Sequence, residues 1–202
     1  MKKPLNIREL TLISIFTAVT AVFAQIAVLI PFSPVPISFG LVGVYITGIL
    51  LRPKHAVFAQ ICYLLLGATG APVFANFRGG VGALFGPTGG YLLVYPIMAW
   101  IVSMALNSRK SLQAECLQSK NKLIVKSGAS ICIAHIILYI GGTIWMSATT
   151  GNSIQAALAL AVYPFILLDI IKVVFCVAAV VPLRTRLISM NFLHPDNTAH
   201  DS

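Results

Sequence analysis

Asp169 and Lys172 stand three positions apart in the apolar stretch YPFILLDIIKVVFCVAAVVPL. An acid and an ammonium at that spacing share one face of a helix. Either charge costs at least ~2.5–3.5 kcal/mol at the centre of a hydrocarbon layer. A chain that keeps both uses them on each other, on a ligand, or on both. Asp169 is also the one acid in the apolar segments; Glu9, Glu115, Asp196 and Asp201 fall near the termini or in a connector. The pair therefore marks a polar spot on the last helix that has to face the interior of a bundle.

A second constellation lies at 71–90, APVFANFRGGVGALFGPTGG, where Asn76 and Arg78 sit among glycines and prolines. Irregular backbone at membrane depth is tolerated where it is buried in protein or lines a cavity, and glycine lets backbone approach a ligand closely. Gly82, Gly86 and Gly90 also form a GxxxG series. A Walker A loop is excluded, because no lysine follows the second glycine. No HExxH, paired acids or Ser/His/Asp set occurs in the apolar segments, and no cysteine pair has metal or redox spacing. Cys62, Cys116, Cys132 and Cys176 read as small buried hydrophobes.

These residues need a membrane scaffold. The chain has 202 residues, 58% hydrophobic and 9% charged, where a soluble domain carries about 25% charged residues. Mean hydropathy is +0.91. Apolar segments at roughly 10–30, 37–51, 55–70, 88–106, 124–146 and 155–182 predict a six-helix all-α membrane bundle over 1–186 and a polar tail over 187–202. The net charge of +9 is not a nucleic-acid patch. Lys2, Lys3, Arg8, Arg52, Lys54, Arg109, Lys110, Lys120, Lys122, Lys126, Arg184 and Arg186 fall on one side of the predicted spans. Arg78 lies opposite and Lys172 within a span. The positive-inside rule then predicts a multi-pass plasma-membrane protein with both termini cytoplasmic, in contact with lipid.

Small residues recur in the first span at Ser14/Ala18, Thr17/Ala21 and Thr20/Ala24, a spacing that lets helices approach closely in lipid, within the chain or with a second subunit. The segment PFSPVP at 31–36 excludes a helix. The second and third spans are short for a full crossing, which predicts a depression at the external end. His135, with no acid in its own span, reads as a packing or hydrogen-bonding residue rather than a proton relay. Trp100 and Trp145 read as packing or interface residues.

PFSPVPIS, GAPVFANFRGGVGALFGPTGGYLL and PFILLDIIK, in that order, together resemble the BioY family. Its members are biotin-specific substrate-binding membrane subunits (S components) of energy-coupling-factor (ECF) transporters. The sequence departs from the family where Gly40 follows PVPISF in place of a glutamine, and where Leu167–Leu168 replace Pro-Gly before the acid. In the first span Ser14/Ala18 and Thr17/Ala21 replace an alanine pair. The resemblance implies capture of biotin from outside, with an ECF transmembrane coupling subunit docked on Ser14, Thr17, Ala18 and Ala21, and two cytosolic ATPase subunits. It implies no resident cofactor or metal, since biotin is cargo and ATP is used on the partners. It is compatible with a homo-oligomer.

A biotin pocket needs an acceptor for the ureido N–H, a donor for its carbonyl, apolar walls and a cation for the carboxylate. Asp169 supplies the acceptor, Lys172 a donor, and Asn76 both. Arg78 grips a carboxylate bidentately. Phe74, Phe77, Tyr91 and Tyr163 are candidate walls. The expected pose puts the ring end near Asp169, Lys172 and Asn76 and the carboxylate near Arg78; the reversed pose puts Lys172 on the carboxylate. The loops 31–36 and 71–90 are candidate external gates. The alternatives are an S component for a different vitamin, an integral membrane enzyme, or a channel or scaffold.

Overall fold

A computed structural model describes residues 6–31, 33–107 and 120–189. Lys2, Lys3, Arg109, Lys110, Cys116 and most of the polar connector and tail lie outside them. The helices in chain order are α1 (Ile7–Gln25), α2 (Gly40–Leu50), α3 (Pro53–Ala68), α4 (Val81–Phe85), α5 (Gly89–Leu93), α6 (Tyr95–Leu106), α7 (Lys120–Thr150), α8 (Ile154–Ala161) and α9 (Ile166–Ser189). A β-hairpin of β1 (Ala27–Ile30) and β2 (Ser33–Ser38) separates α1 from α2. A 3-10 turn, Ala75–Phe77, precedes α4.

Local chemistry sets these boundaries. The Asn6 amide donates to Glu9 at 3.0 Å at the start of α1, one half of a capping box. Pro53 opens α3, where its missing N–H costs nothing. Ser153 accepts from the Ala156 amide at 3.3 Å and starts α8. The first apolar segment is not all helix. It ends at Gln25, and Ala27–Ile30 pairs antiparallel with Ser33–Ser38, Val28 opposite Ile37. The last segment is likewise broken, because Tyr163 and Pro164 interrupt it between α8 and α9. The final helix runs on to Ser189, three residues past the expected end of the domain.

Among the described residues, four helical stretches are long and apolar enough to cross a membrane: Ile7–Gln25, Gly89–Leu106, Asn121–Thr150 and Ile166–Leu187. The eleven-residue α2 and sixteen-residue α3 are shorter. The exterior carries many large apolar side chains. Ile133, Ile136, Ile140 and Ile144 form an exposed stripe on α7, while Ala134 and Leu138 of the same helix are buried. In water such an all-round apolar helix would be penalised; in lipid it is satisfied.

Helix α6 sits centrally, packed on α7, α2 and α3, and α1 packs on α2 and α3. A Cβ on Gly43 would stand 2.7 Å from Thr20 Cα, so α1 and α2 meet backbone to backbone there. Hydroxyl bonds cross the same interfaces. Thr17 Oγ1 donates to Ala59 O at 2.9 Å, and Gln60 Nε2 reaches Thr20 Oγ1 at 3.0 Å and Thr47 Oγ1 at 3.2 Å.

The charge count treated Arg184 as a loop cation. The structure buries it completely. Its guanidinium donates to Ile49 O, to Leu106 O at 3.3 Å and to Asn107 Oδ1 at 3.1 Å. It therefore caps the carbonyl ends of α2 and α6, where a cation is favoured. Of the cysteines, Cys176 is buried, Cys62 half-buried and Cys132 exposed.

Candidate functional site

The break at Tyr163–Pro164 places Asp169 in the first turn of α9, where free amides favour a carboxylate. One turn on, Lys172 Nζ lies 2.9 Å from Asp169 Oδ1. Both residues are buried. The other oxygen, Oδ2, receives the Tyr139 hydroxyl at 2.7 Å, and His135 Nε2 stands 3.3 Å from it. Both come from α7. Behind them, the buried Tyr45 hydroxyl of α2 is 2.9 Å from His135 Nδ1. The proton arrangement that uses each group once has Tyr45 donating to Nδ1 and Nε2–H facing the carboxylate. Lys172 Nζ also lies 5.8 Å from the centre of the Phe39 ring, a cation–π distance.

Asp169 and Lys172 line an inner chamber of about 60 Å³, with Tyr139, Leu138, Ala161 and Phe165. An outer chamber of about 210 Å³ lies beyond it, walled by Tyr63, Phe74, Arg78 and the glycine-rich stretch from Gly82 to Thr88. Val35, Pro36, Ser38, Tyr91 and Tyr95 belong to both chambers. One pocket thus runs from the buried pair to Arg78, with the hairpin as a shared wall. Ligand sites commonly measure ~300–1,000 Å³, so a ligand spanning both chambers has to widen them.

The outer chamber has an aromatic wall. Tyr63 stacks on Tyr95 with ring centres 6.2 Å apart, and meets Phe74 edge-on at 5.4 Å. The Phe74 ring fits only because position 67 is glycine, where a Cβ would lie 2.0 Å from it. The Tyr63 hydroxyl and the Asn76 Nδ2 are buried without a hydrogen-bond partner; Tyr63 lines the outer chamber, which leaves its hydroxyl for something that enters. Asn76 and Phe77 hold left-handed backbone, with φ of 58° and 56°, which costs on the order of 1–3 kcal/mol per residue.

The structure brings Asp169, Lys172 and Tyr91 to the inner chamber, and Phe74, Arg78 and Tyr91 to the outer one. Asn76 lines neither chamber; it sits between Ala75 and Arg78, which line the outer one. Tyr163 is 64% exposed in the turn between α8 and α9, and Phe77 is 72% exposed; neither lines a chamber. Ser14, Thr17, Ala18 and Ala21 line a separate, apolar groove of about 600 Å³ between α1 and α3, with Cys62, Leu65 and Leu66 opposite. Trp145 Nε1 donates to Gly86 O at 3.0 Å, bracing the glycine-rich stretch.

Sequence reading missed Tyr139, Tyr45, Tyr63 and Tyr95, and of the hairpin it named only the loop 31–36, as a gate. His135 and Tyr139 are four apart, one polar face in an apolar helix, and that spacing was the available signal. The acid that completes their network comes from another helix.

The sequence model of the BioY family matches residues 1–189. The chain is 33% identical over 165 residues to the probable biotin transporter BioY of Pyrococcus horikoshii, covering 82% of this chain and 89% of that protein. It is 34% identical over 166 residues to the biotin transporter BioY2 of Lactococcus lactis subsp. cremoris, covering 82% and 84%. It also superposes on the crystal structure of the S-component for biotin from an ECF-type ABC transporter. The TM-score is 0.76 at 26% identity, over 91% of this chain and 94% of that one.

Proposed function

The chain belongs to the BioY family, and from that we propose that it captures biotin in the membrane as the S component of an ECF transporter. It is a transport protein, not an enzyme. The carrying observation is the continuous pocket with a buried, hydrogen-bonded Asp169–Lys172 pair at one end and Arg78 at the other.

In this reading the ureido ring enters the inner chamber, giving an N–H to Asp169 and taking a donor from Lys172. The valerate carboxylate stays at the mouth with Arg78. Lys172 is already neutralised by Asp169, whereas Arg78 has no carboxylate partner among the described residues. That asymmetry favours this pose over the reversed one. Buried polar groups matched to ligand atoms reject analogues lacking those atoms by several orders of magnitude. The hairpin β1–β2 and the segment 71–90 are the external gates.

The finer topology is six spans with both termini cytoplasmic, α2 and α3 being the short ones and α5–α6 and α8–α9 the interrupted ones. The one-sided basic residues support it. The groove between α1 and α3 is the docking face for the transmembrane coupling subunit, and two cytosolic ATPases supply the energy.

Mass spectrometry of the small molecules released from the purified protein tests the cargo. Biotin as the stoichiometric ligand supports the reading. A different vitamin, or no saturable biotin binding at nanomolar concentration, overturns it.

A further inference from the structure

Gln25 is the last residue of α1, and its carboxamide reaches a segment about fifty positions away. Nε2 donates to Pro72 O at 3.1 Å and Phe74 O at 3.2 Å, with Ala21 O of its own helix at 3.4 Å. Oε1 accepts from the Phe77 amide at 3.0 Å. A primary amide has two N–H donors and one acceptor oxygen, and all are engaged. Turning the amide over would face its oxygen toward three carbonyls, so the network fixes its orientation.

The fastened segment is one that would not hold its shape unaided. Asn76 and Phe77 are consecutive left-handed residues without being glycine. Phe77 is largely exposed, so side-chain packing does not impose the conformation. Next to it stands Arg78, whose carbonyl accepts from the Phe74 amide at 2.9 Å and closes the turn. On the far side the Gly80 amide donates to Gly67 O of α3 at 2.6 Å.

We propose that Gln25 is the positioning residue of the external gate, fastening the Pro72–Phe77 segment to the last turn of α1 and thereby setting where Arg78 meets the ligand. The same side chain makes the outer end of α1 and the gate move together. A displacement of α1 at its groove with α3 is then felt at the mouth of the pocket. The role in binding rests on the reading that Arg78 receives the biotin carboxylate.

The test uses the full chain in lipid nanodiscs, with Gln25→Glu, which keeps the shape and loses the donors, and Gln25→Met, which loses both. Hydrogen exchange is read at the amides of Phe74 to Arg78 without ligand. Affinity is then measured for biotin and for its methyl ester. In Gln25→Met the Phe77 amide loses protection, whereas Gln25→Glu keeps an acceptor for it, and in both thermal unfolding stays close to that of the parent. Biotin binds about tenfold or more weakly, since more than one hydrogen bond is lost. The preference for biotin over the ester falls toward that of Arg78→Ala, and Gln25→Met adds little on top of Arg78→Ala. Parental Phe77 protection in Gln25→Met, or parental biotin affinity in both variants, overturns the proposal. Equal losses for biotin and ester overturn it as well. If Arg78→Ala itself leaves the preference intact, the carboxylate assignment fails, and Phe77 exchange still decides whether Gln25 fastens the gate.

Discussion

Tyr139 donates to Asp169 Oδ2 at 2.7 Å, tying α7 to α9 across thirty positions of sequence. Lys172 holds the other oxygen, so the carboxylate is oriented from two helices. Tyr139→Phe removes one hydrogen bond to a charged group, about 1.5–3 kcal/mol, and little volume. Biotin affinity is expected to fall roughly ten- to a hundredfold with the fold intact, measured by equilibrium binding in detergent. Parental affinity would take Tyr139 out of the site.

The buried pair separates stability from recognition. Asp169→Asn or Lys172→Met alone leaves one charge uncompensated, at a cost of roughly 3–5 kcal/mol. The double variant removes both charges and recovers most of the thermal stability, yet does not recover biotin binding. Thermal unfolding and ligand titration on the same four proteins check this. A double variant that binds biotin as the parent does would show the pair to be structural.

Gly67→Ala sets a methyl against the Phe74 ring. The ring has to move, taking the outer wall with it, at a cost of about 1–3 kcal/mol for overpacking. Weaker biotin binding is expected, and Phe74→Leu in the same chain is expected to restore part of it by making room. No restoration would mean that Gly67 matters for another reason.

Arg184 forks between the carbonyl ends of α2 and α6. Lysine is a point charge and does not reproduce the fork. Arg184→Lys is therefore expected to lower the unfolding temperature nearly as far as Arg184→Met, with biotin binding retained at low temperature. An unfolding temperature unchanged in Arg184→Lys would contradict the capping role.

Ala18 is exposed in the groove between α1 and α3. Ala18→Leu fills that groove without touching the pocket. Biotin binding is expected to persist while co-purification with a coupling subunit and biotin uptake by cells are lost. Undiminished uptake would place the docking face elsewhere.

The Asp169–Lys172 pair was legible because three positions on a helix is a local relation, fixed by backbone geometry. The carboxylate's other partners were not, because Tyr139 and His135 meet it only after α7 packs on α9. The first span was read too long for a related reason. Ala27–Ile30 is as apolar as a helix, and only its pairing with the proline-rich Ser33–Ser38 turns it into a strand. Arg184 was misread because a charge count by loop cannot see a guanidinium folded back under the helix ends. Asn76 was expected beside the pair, and it lines neither chamber. Residue type shows that it can donate and accept, but its location depends on the turn held by Gln25.

The hairpin contributes Val35, Pro36 and Ser38 to two compartments at once. A partition of that kind reads length. A molecule with the bicyclic head but a truncated tail occupies one compartment and leaves the other empty, and a tail without the head does the reverse. Discrimination then depends on both compartments being filled together.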